Sequence, residues 1–282
     1  HDRVLTRIGN KTLPGVQEAV WLPDGSSAFA RFVTNEEGVD TVATYALPAL
    51  GGEGYFLESG LAAVGVTGSS SVYTLLPRSS GSVATIASIT GTGARTLFAS
   101  PLKSLTLRPL GGNFIAPTKA SSGISGYAFS VSSKAGVFTR ILGPYTGLST
   151  LPNPTGSRVL FSYVYLGKVF TSVLDVDKRT VTALPVTTLA EKCVWAPNGT
   201  SLYCGVPVAL PKTLPDAWYQ GAEPLSDRLW GIDLNTRLAT LITDPTTIAS
   251  ITIDMVSLTI DPATDAVVFT NKLDGSLWAY DL

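Results

Sequence analysis

Residues 193–204 of the chain read CVWAPNGTSLYC, and the W-A-P-N-G inside this stretch returns in altered form as W-L-P-D-G at residues 21–25. Prolines in the same setting, between two apolar strand-like segments, recur at positions 23, 109, 154, 197 and 262. The intervals of 86, 45, 43 and 65 residues fit a unit of about 43 residues if the first spans two units and the last contains an insertion of 22. The spacing therefore predicts six units, and V-G-V-T-G at 64–68 keeps the glycine of the second one.

Each unit is predicted to contain four β-strands, which in the fifth unit cover residues 191–196, 201–206, 228–233 and 238–243. Four strands in about 43 residues are typical of one blade of a β-propeller. The last unit has only three strands, and a lone strand at residues 3–8 is expected to pair with residues 277–282 and close the ring. We therefore predict an all-β fold over residues 1–282: one domain, a six-bladed β-propeller with four antiparallel strands per blade.

Two groups of motifs resemble known propellers. The W-x-P-D-G motif, and strands ending in D-L-x-T such as LWGIDLNTRLATLIT at 229–243, resemble the repeats of TolB-type and dipeptidyl-peptidase N-terminal propellers over nearly the whole chain. EKCVW at 191–195, LYCGVP at 202–207 and PDAWYQG at 215–221 are also similar to uncharacterised surface-type propeller proteins of small-genome bacteria. Both resemblances imply a fold and no particular activity, because such blades occur in binding modules, assembly subunits and substrate gates alike.

Charge and hydropathy indicate which classes of binding partner the chain is not expected to have. Twenty basic and 21 acidic residues give a net charge of −1 without a lysine or arginine cluster, so we expect no nucleic-acid partner. Hydrophobic residues make up 45% of the chain, yet no unbroken apolar run approaches the roughly 18 residues of a membrane span, so we expect no direct membrane insertion. The chain opens inside a strand-like stretch, which is typical of a processed product, and we expect any N-terminal anchor to have been removed.

The two cysteines stand at the ends of a predicted hairpin. With no C-x-x-C motif and His1 as the single histidine, the sequence does not favour a metal site, and none is predicted. A turn of two or four residues would place Cys193 opposite Cys204 on one face, whereas a three-residue turn with a left-handed Gly199 would separate them as free thiols. We predict the disulfide, and with it an extracytoplasmic protein of the periplasm or cell surface, with a membrane tether as a further option in the full-length protein.

Candidate site residues follow from aligning the units. Catalytic triads and Cys-His pairs require a histidine, and the single histidine of this chain is its first residue. We therefore do not expect these classes of enzyme, and we predict no cofactor. Glycoside chemistry needs only two carboxyl groups. The alignment places one or two acids together with lysines and serines at one mouth of the central channel. Such a mixture is more typical of a hydrated channel than of an active site. The residues predicted at or near this mouth are Glu18, Lys103, Glu191, Lys192 and Asp254.

The 22-residue insertion, VPVALPKTLPDAWYQGAEPLSD at residues 206–227, is the main departure from the repeat. Long loops in compact domains are usually functional or disordered, and Trp218 with Tyr219 favours an ordered one. We call this segment the flap and predict that it folds over the channel mouth. Trp218 is predicted to anchor the flap and Tyr219 to contact a ligand; the alternative is that both aromatics merely pack against the rim.

Three functions are compatible with these features. The first is a non-catalytic extracytoplasmic propeller that binds a protein, peptide or glycan through the face bearing the flap. The second is a carbohydrate-active enzyme of the glycosidase or lyase type that uses channel-mouth acids such as Glu18, Glu191 and Asp254. The third is a structural subunit of a surface assembly. An aromatic flap above an acid-poor mouth favours binding, so we expect a binding protein rather than an enzyme.

Overall fold

A computed structural model describes residues 13–36, 38–48, 53–68, 70–261 and 265–282. The predicted strand at residues 3–8, with its pairing to residues 277–282, and the proline at position 262 lie outside the described residues. Packing divides the chain into two compact units. The first contains the described residues up to Leu107 together with Lys134–Val137, and the second contains Arg108–Ser133 and Phe138–Leu282.

The first unit contains two four-stranded antiparallel sheets. One consists of β1 (Val16–Trp21), β2 (Ser27–Glu36), β3 (Val39–Pro48) and β4 (Tyr55–Phe56). The other consists of β5 (Ala63–Thr67), β6 (Ser71–Arg78), β7 (Gly81–Ser88) and β8 (Arg95–Ser100). Phe29 of β2 and Ala46 of β3 pack against Val64 of β5 and Val72 of β6, so the apolar positions of both sheets form one core.

The second unit contains three antiparallel sheets of seven, four and three strands. The seven-stranded sheet consists of β9 (Arg108–Leu110), β10 (Asn113–Pro117), β11 (Ser125–Val131), β12 (Phe138–Pro152), β13 (Arg158–Tyr165), β14 (Lys168–Asp175) and β15 (Thr180–Ala183). The four-stranded sheet consists of β16 (Cys193–Trp195), β17 (Ser201–Pro207), β18 (Asp227–Asp233) and β19 (Leu238–Thr243). The last sheet consists of β20 (Met255–Asp261), β21 (Ala266–Asn271) and β22 (Leu277–Asp281).

Three short helical segments interrupt the strands of the second unit. They are a 3₁₀ turn at Ala190–Lys192, helix α1 at Asp216–Tyr219 and helix α2 at Pro245–Ala249. No described helix combines the length and the apolar character that crossing a bilayer would require.

The repeated proline-glycine motif forms the same type of turn at three places in the chain. Gly25, Gly156 and Gly199 have φ values of 69°, 77° and 65°, in the left-handed region that glycine enters without steric cost. The N–H of each donates to the carbonyl oxygen three residues earlier, at 2.9, 3.0 and 2.9 Å. Each turn joins two neighbouring antiparallel strands, which explains why the motif marks the period of the sequence.

Strand β12 joins two predicted repeats into one sheet. Its first part pairs with β11 and its last part pairs with β13, so the third and fourth repeats share a strand. The change of partner occurs around Gly143 and Gly147, with φ values of 101° and 62°. At Gly143 a Cβ atom would lie only 2.5 Å from the carbonyl oxygen of Gly126, so the close approach of β11 requires glycine there. The described residues form an all-β fold, whereas six separate four-stranded blades in one closed ring remain a prediction.

The cysteine hairpin has the register that a four-residue turn imposes. Cys193 lies opposite Cys204, and the Ala196 N–H donates to the Ser201 carbonyl at 2.9 Å, closing the turn. Asn198 Oδ1 caps the turn by accepting from the N–H groups of Thr200 and Ser201. The two sulfurs form a disulfide, as predicted, and both cysteines are buried in the core of this sheet.

Candidate functional site

The flap is folded back on itself between β17 and β18. At its base the Val208 N–H donates to the Ser226 carbonyl at 2.8 Å, which extends the pairing of the two strands. Its middle part forms α1, whose Asp216 carboxylate accepts from both the backbone N–H and the hydroxyl of Ser122. Two hydrogen bonds from one residue of the β10–β11 loop therefore hold the flap to the neighbouring sheet.

Trp218 is the apolar anchor of the flap. Only 4% of it is exposed, and it packs with Leu189, Leu214, Leu225 and Val169. Burying a tryptophan removes a large apolar area from water, but its indole N–H then needs an acceptor. Asp254 supplies this acceptor, with Trp218 Nε1 at 2.9 Å from Oδ2 and 3.1 Å from Oδ1.

A buried ion-pair network lies directly beneath Trp218. Lys192 is fully buried, and its Nζ lies 2.5 Å from Asp254 Oδ1 and 2.7 Å from Asp227 Oδ2. It also donates to the Met255 carbonyl at 3.1 Å. Since a charge is removed from water at high cost unless it is paired and hydrogen-bonded, the ammonium group depends on both carboxylates.

The two carboxylates of this network are not equivalent. Asp254 accepts from Lys192, from Trp218 and from the Leu225 N–H at 3.1 Å. Asp227 accepts through Oδ2 only, and its buried Oδ1 has no hydrogen-bond partner among the described residues. Burial raises the pKa of Asp227 to about 6, against the opposing effects of Lys192 and the Met255 N–H.

This pKa predicts a pH dependence of stability. Between about pH 4 and 6 the folded chain keeps a proton on Asp227 that the unfolded chain has lost, so the contribution of this group to stability falls as pH rises. In Asp227→Asn the contribution is absent, and the free energy of unfolding of the variant relative to the wild type should increase by about 3 kcal/mol from pH 4 to 7. Urea unfolding across this range measures the difference.

The exposed Asp274 is the control for this prediction, because its pKa is shifted in the opposite direction. Hydrogen bonds from Ser276 lower the pKa of Asp274, so its contribution to stability rises with pH, and Asp274→Asn should change the pH dependence in the opposite sense. A constant difference between wild type and Asp227→Asn at every pH would contradict the assignment.

Tyr219 lies at the solvent side of the same helix. It remains 37% exposed, its ring centroid is 5.4 Å from that of Trp218, and it lies close to the half-buried Glu191. Burial raises the pKa of Glu191, and Arg108, the Tyr219 hydroxyl and Lys272 offset this only in part. Burial and the nearby Glu191 carboxylate raise the pKa of Tyr219.

Lys272 completes the surroundings of Trp218. Its Nζ lies 3.9 Å from the centroid of the indole ring and donates to the Trp218 carbonyl, while Lys192 Nζ is 5.0 Å from the same centroid. Two cations near one aromatic ring stabilise its position through the negative charge of the ring face. Partial burial lowers the pKa of Lys272, and the Asp254 carboxylate opposes this shift.

The structure brings together five of the seven predicted site residues: Trp218, Tyr219, Glu191, Lys192 and Asp254. Lys192 and Asp254 were expected to line an open mouth, but both are fully buried because the flap covers them.

The other two predicted residues, Glu18 and Lys103, belong to the first unit. There Glu18 forms a half-exposed ion pair with Arg31 at 2.6 Å, and Lys103 is exposed beyond β8.

Three residues of the site were missed from the sequence: Asp227, Lys272 and Arg108. No local signal in the sequence marks Asp227 as buried, since the strand that it begins, DRLWGID, also contains the charged residues Arg228 and Asp233.

Comparisons with known proteins place the fold. No family model and no curated protein matches the chain. Among solved structures, the β-propeller domain of the Trilobed protease from Pyrococcus furiosus has a TM-score of 0.65 at 8% identity, covering 95% of this chain and 81% of that one. The acylaminoacyl peptidase of Pyrococcus horikoshii has a TM-score of 0.66 at 9% identity, covering 95% of this chain and 44% of that one. TolB from Acinetobacter baumannii has a TM-score of 0.56 at 14% identity, covering 79% of this chain and 53% of that one.

These likenesses concern the fold alone, because identities of 8 to 14% carry no function across. The chain spans about half the length of TolB and less than half of the peptidase, so the activities of those whole proteins are not transferred to it. In agreement with the motifs of the sequence, the chain has an all-β fold similar to that of these β-propeller proteins.

Proposed function

We propose that the chain is a non-catalytic, extracytoplasmic β-propeller that binds a protein, peptide or glycan partner through the surface bearing the flap. In this proposal it is a single six-bladed domain, with residues 3–8 completing the last sheet. The supporting observation is the division of roles within α1: Trp218 is held from below by Asp254, while the adjacent Tyr219 remains partly exposed beside Glu191. An aromatic residue that is rigidly held and partly exposed is a common contact in binding sites.

The arrangement of carboxyl groups favours binding over glycoside chemistry. A glycosidase needs two carboxyl groups that face the substrate. Asp227 and Asp254 are both buried and engaged with Lys192, so Glu191 is the carboxyl group of this cluster nearest to solvent. Glu191 lies beside Tyr219, and the Asp216 carboxylate of the flap is already engaged with Ser122, an arrangement that fits recognition better than a two-acid reaction.

The disulfide supports the extracytoplasmic location. Structural disulfides persist in oxidising compartments and are rare in the cytosol. The Cys193–Cys204 bond closes a short hairpin in the core of the four-stranded sheet and lies close to no other cysteine, which indicates a structural role rather than a redox role.

Tyr219→Ala is expected to weaken partner binding by about 2 kcal/mol, roughly 30-fold, while leaving the melting temperature unchanged. The wild-type chain is first applied to a glycan array and to a displayed peptide library, and the ligands selected there are titrated against the variant. The matched control is Trp21→Ala, a 53% exposed aromatic residue of β1, which should bind like the wild type. Equal losses in the two variants, or no selected ligand on either platform, would contradict the proposal.

A further inference from the structure

A second polar cleft lies in the second unit, away from the flap residues described above. It has a volume of about 190 Å³ and lies between the end of the seven-stranded sheet and β18 of the four-stranded sheet. Its floor is apolar and includes Leu184 and Ile232. Its charged lining consists of Arg158, Lys178, Arg237, Asp175 and Asp233, and we call it the arginine cleft.

The two carboxylates of the arginine cleft are already engaged. Asp175 accepts from the Lys178 N–H at 2.9 Å and lies 3.5 Å from the Lys178 ammonium group. The Lys178 N–H is the main cause that lowers the pKa of Asp175, with nearby Lys178 and Arg158 charges contributing. Asp233 Oδ1 accepts from the N–H groups of Asn235 and Thr236. These contacts are the ordinary capping of two turns.

The two arginines, unlike the carboxylates, have few hydrogen-bond or ion-pair partners in the described part of the chain. The half-buried Arg158 donates Nη1 to the Gly199 carbonyl at 3.1 Å, which leaves most of its N–H donors without a partner on the chain. Arg237 forms no ion pair or hydrogen bond within the described part of the chain. A cleft lined by two guanidinium groups with spare donors, beside the Thr182 side chain, is suited to an oxyanion.

The backbone of Arg237 adds an independent observation. Its φ of 60° lies in the left-handed region, where a residue with a Cβ is strained and glycine is not. The β14–β15 turn has the same construction, with Arg179 at a φ of 55°, but Arg179 does not line the cleft. Because the left-handed conformation favours glycine, the turn itself does not require an arginine at position 237.

We propose that the arginine cleft binds a small ligand through an oxyanion, a carboxylate, sulfate or phosphate group held by Arg237 and Arg158. The volume is below the roughly 300 Å³ of pockets for drug-sized ligands, so the ligand is no larger than about a monosaccharide. Leu184, which is partly exposed in the lining, provides an apolar contact for the face of a sugar ring. This site does not depend on the function proposed for the flap.

Titration calorimetry at low salt tests the site with three probes: glucuronate, inorganic sulfate and neutral glucose. Saturable binding of glucuronate or sulfate without binding of glucose is expected, and added sodium chloride should weaken it. If sulfate competes with glucuronate at equal affinity, the site recognises the anion alone; if glucuronate binds more tightly, the ring contributes. Either result supports the oxyanion site.

Arg237→Gly separates binding from folding. This variant should lose at least tenfold in affinity, yet its melting temperature should equal or exceed that of the wild type because the left-handed strain is relieved. Arg179→Gly is the matched control, since it relieves the same strain in the neighbouring turn and should keep full affinity. Absence of saturable binding of both anions, unchanged affinity in Arg237→Gly, or an equal loss in Arg179→Gly would overturn the proposal.

Discussion

Lys192→Met is expected to lower the free energy of unfolding by about 3–5 kcal/mol at neutral pH. The ammonium group of Lys192 lies between Asp227 and Asp254, and all three side chains are essentially inaccessible to solvent. Methionine fills most of the same volume, so the loss comes from two carboxylates left without their cation in a site of low polarity. Urea unfolding followed by circular dichroism measures the change.

Two comparisons identify the cause of this loss. Because Lys192 lowers the pKa of Asp227, its removal makes Asp227 easier to protonate, and the penalty of Lys192→Met should shrink at pH 4, where one of the stranded charges is removed. Lys178→Met removes an exposed lysine from a surface ion pair and should have no measurable effect. A loss in Lys192→Met that is equal at pH 4 and pH 7 would indicate a packing defect instead.

Trp218→Ala is expected to destabilise the chain by about 3–5 kcal/mol and to release the flap. The substitution removes a nearly fully buried ring, takes the indole donor from Asp254 and opens a path for water to Lys192. Besides lowering the melting temperature, it should make the segment between β17 and β18 a site of proteolytic cleavage under conditions in which the wild type stays intact.

Trp218→Phe serves as the control that keeps an aromatic ring. It loses the hydrogen bond to Asp254 and a smaller part of the buried ring than Trp218→Ala, and the expected cost is about 1–3 kcal/mol. If Trp218→Ala kept its stability and resistance to cleavage but lost ligand binding, Trp218 would be a contact residue and its assignment as an anchor would be wrong.

Features that depend on local geometry could be predicted in large part. The P-D-G, P-T-G and P-N-G turns mark the hairpins, and the Cys193–Cys204 disulfide was predicted although the turn length was left open between two, three and four residues; the structure has four, at 197–200, with a left-handed Gly199. The position of the flap followed in the same way, since it lies between the second and third strands of its sheet.

Features that depend on contacts between residues far apart in the sequence could not be predicted from local patterns. Residues 192, 227 and 254 form one ion-pair network although no local pattern connects them, and Asp227 was not predicted as part of the site. The stretch FTRILGPYTGLSTLP, with its two glycines and a proline, has the composition of a break between strands. It is instead the single strand β12, because β11 and β13 provide hydrogen-bond partners to its two parts in turn.

The shared strand limits the modularity of the chain. In most repeat proteins each repeat contacts its neighbours through side chains, so that a repeat is exchanged or deleted at the cost of one interface. Here the third and fourth repeats are also joined through the backbone of β12, whose first part pairs with β11 and whose last part pairs with β13, with Thr146 paired to both strands. We therefore expect the two repeats to unfold together, and we expect circular permutation to be tolerated less well within 138–152 than at exposed turns outside this strand.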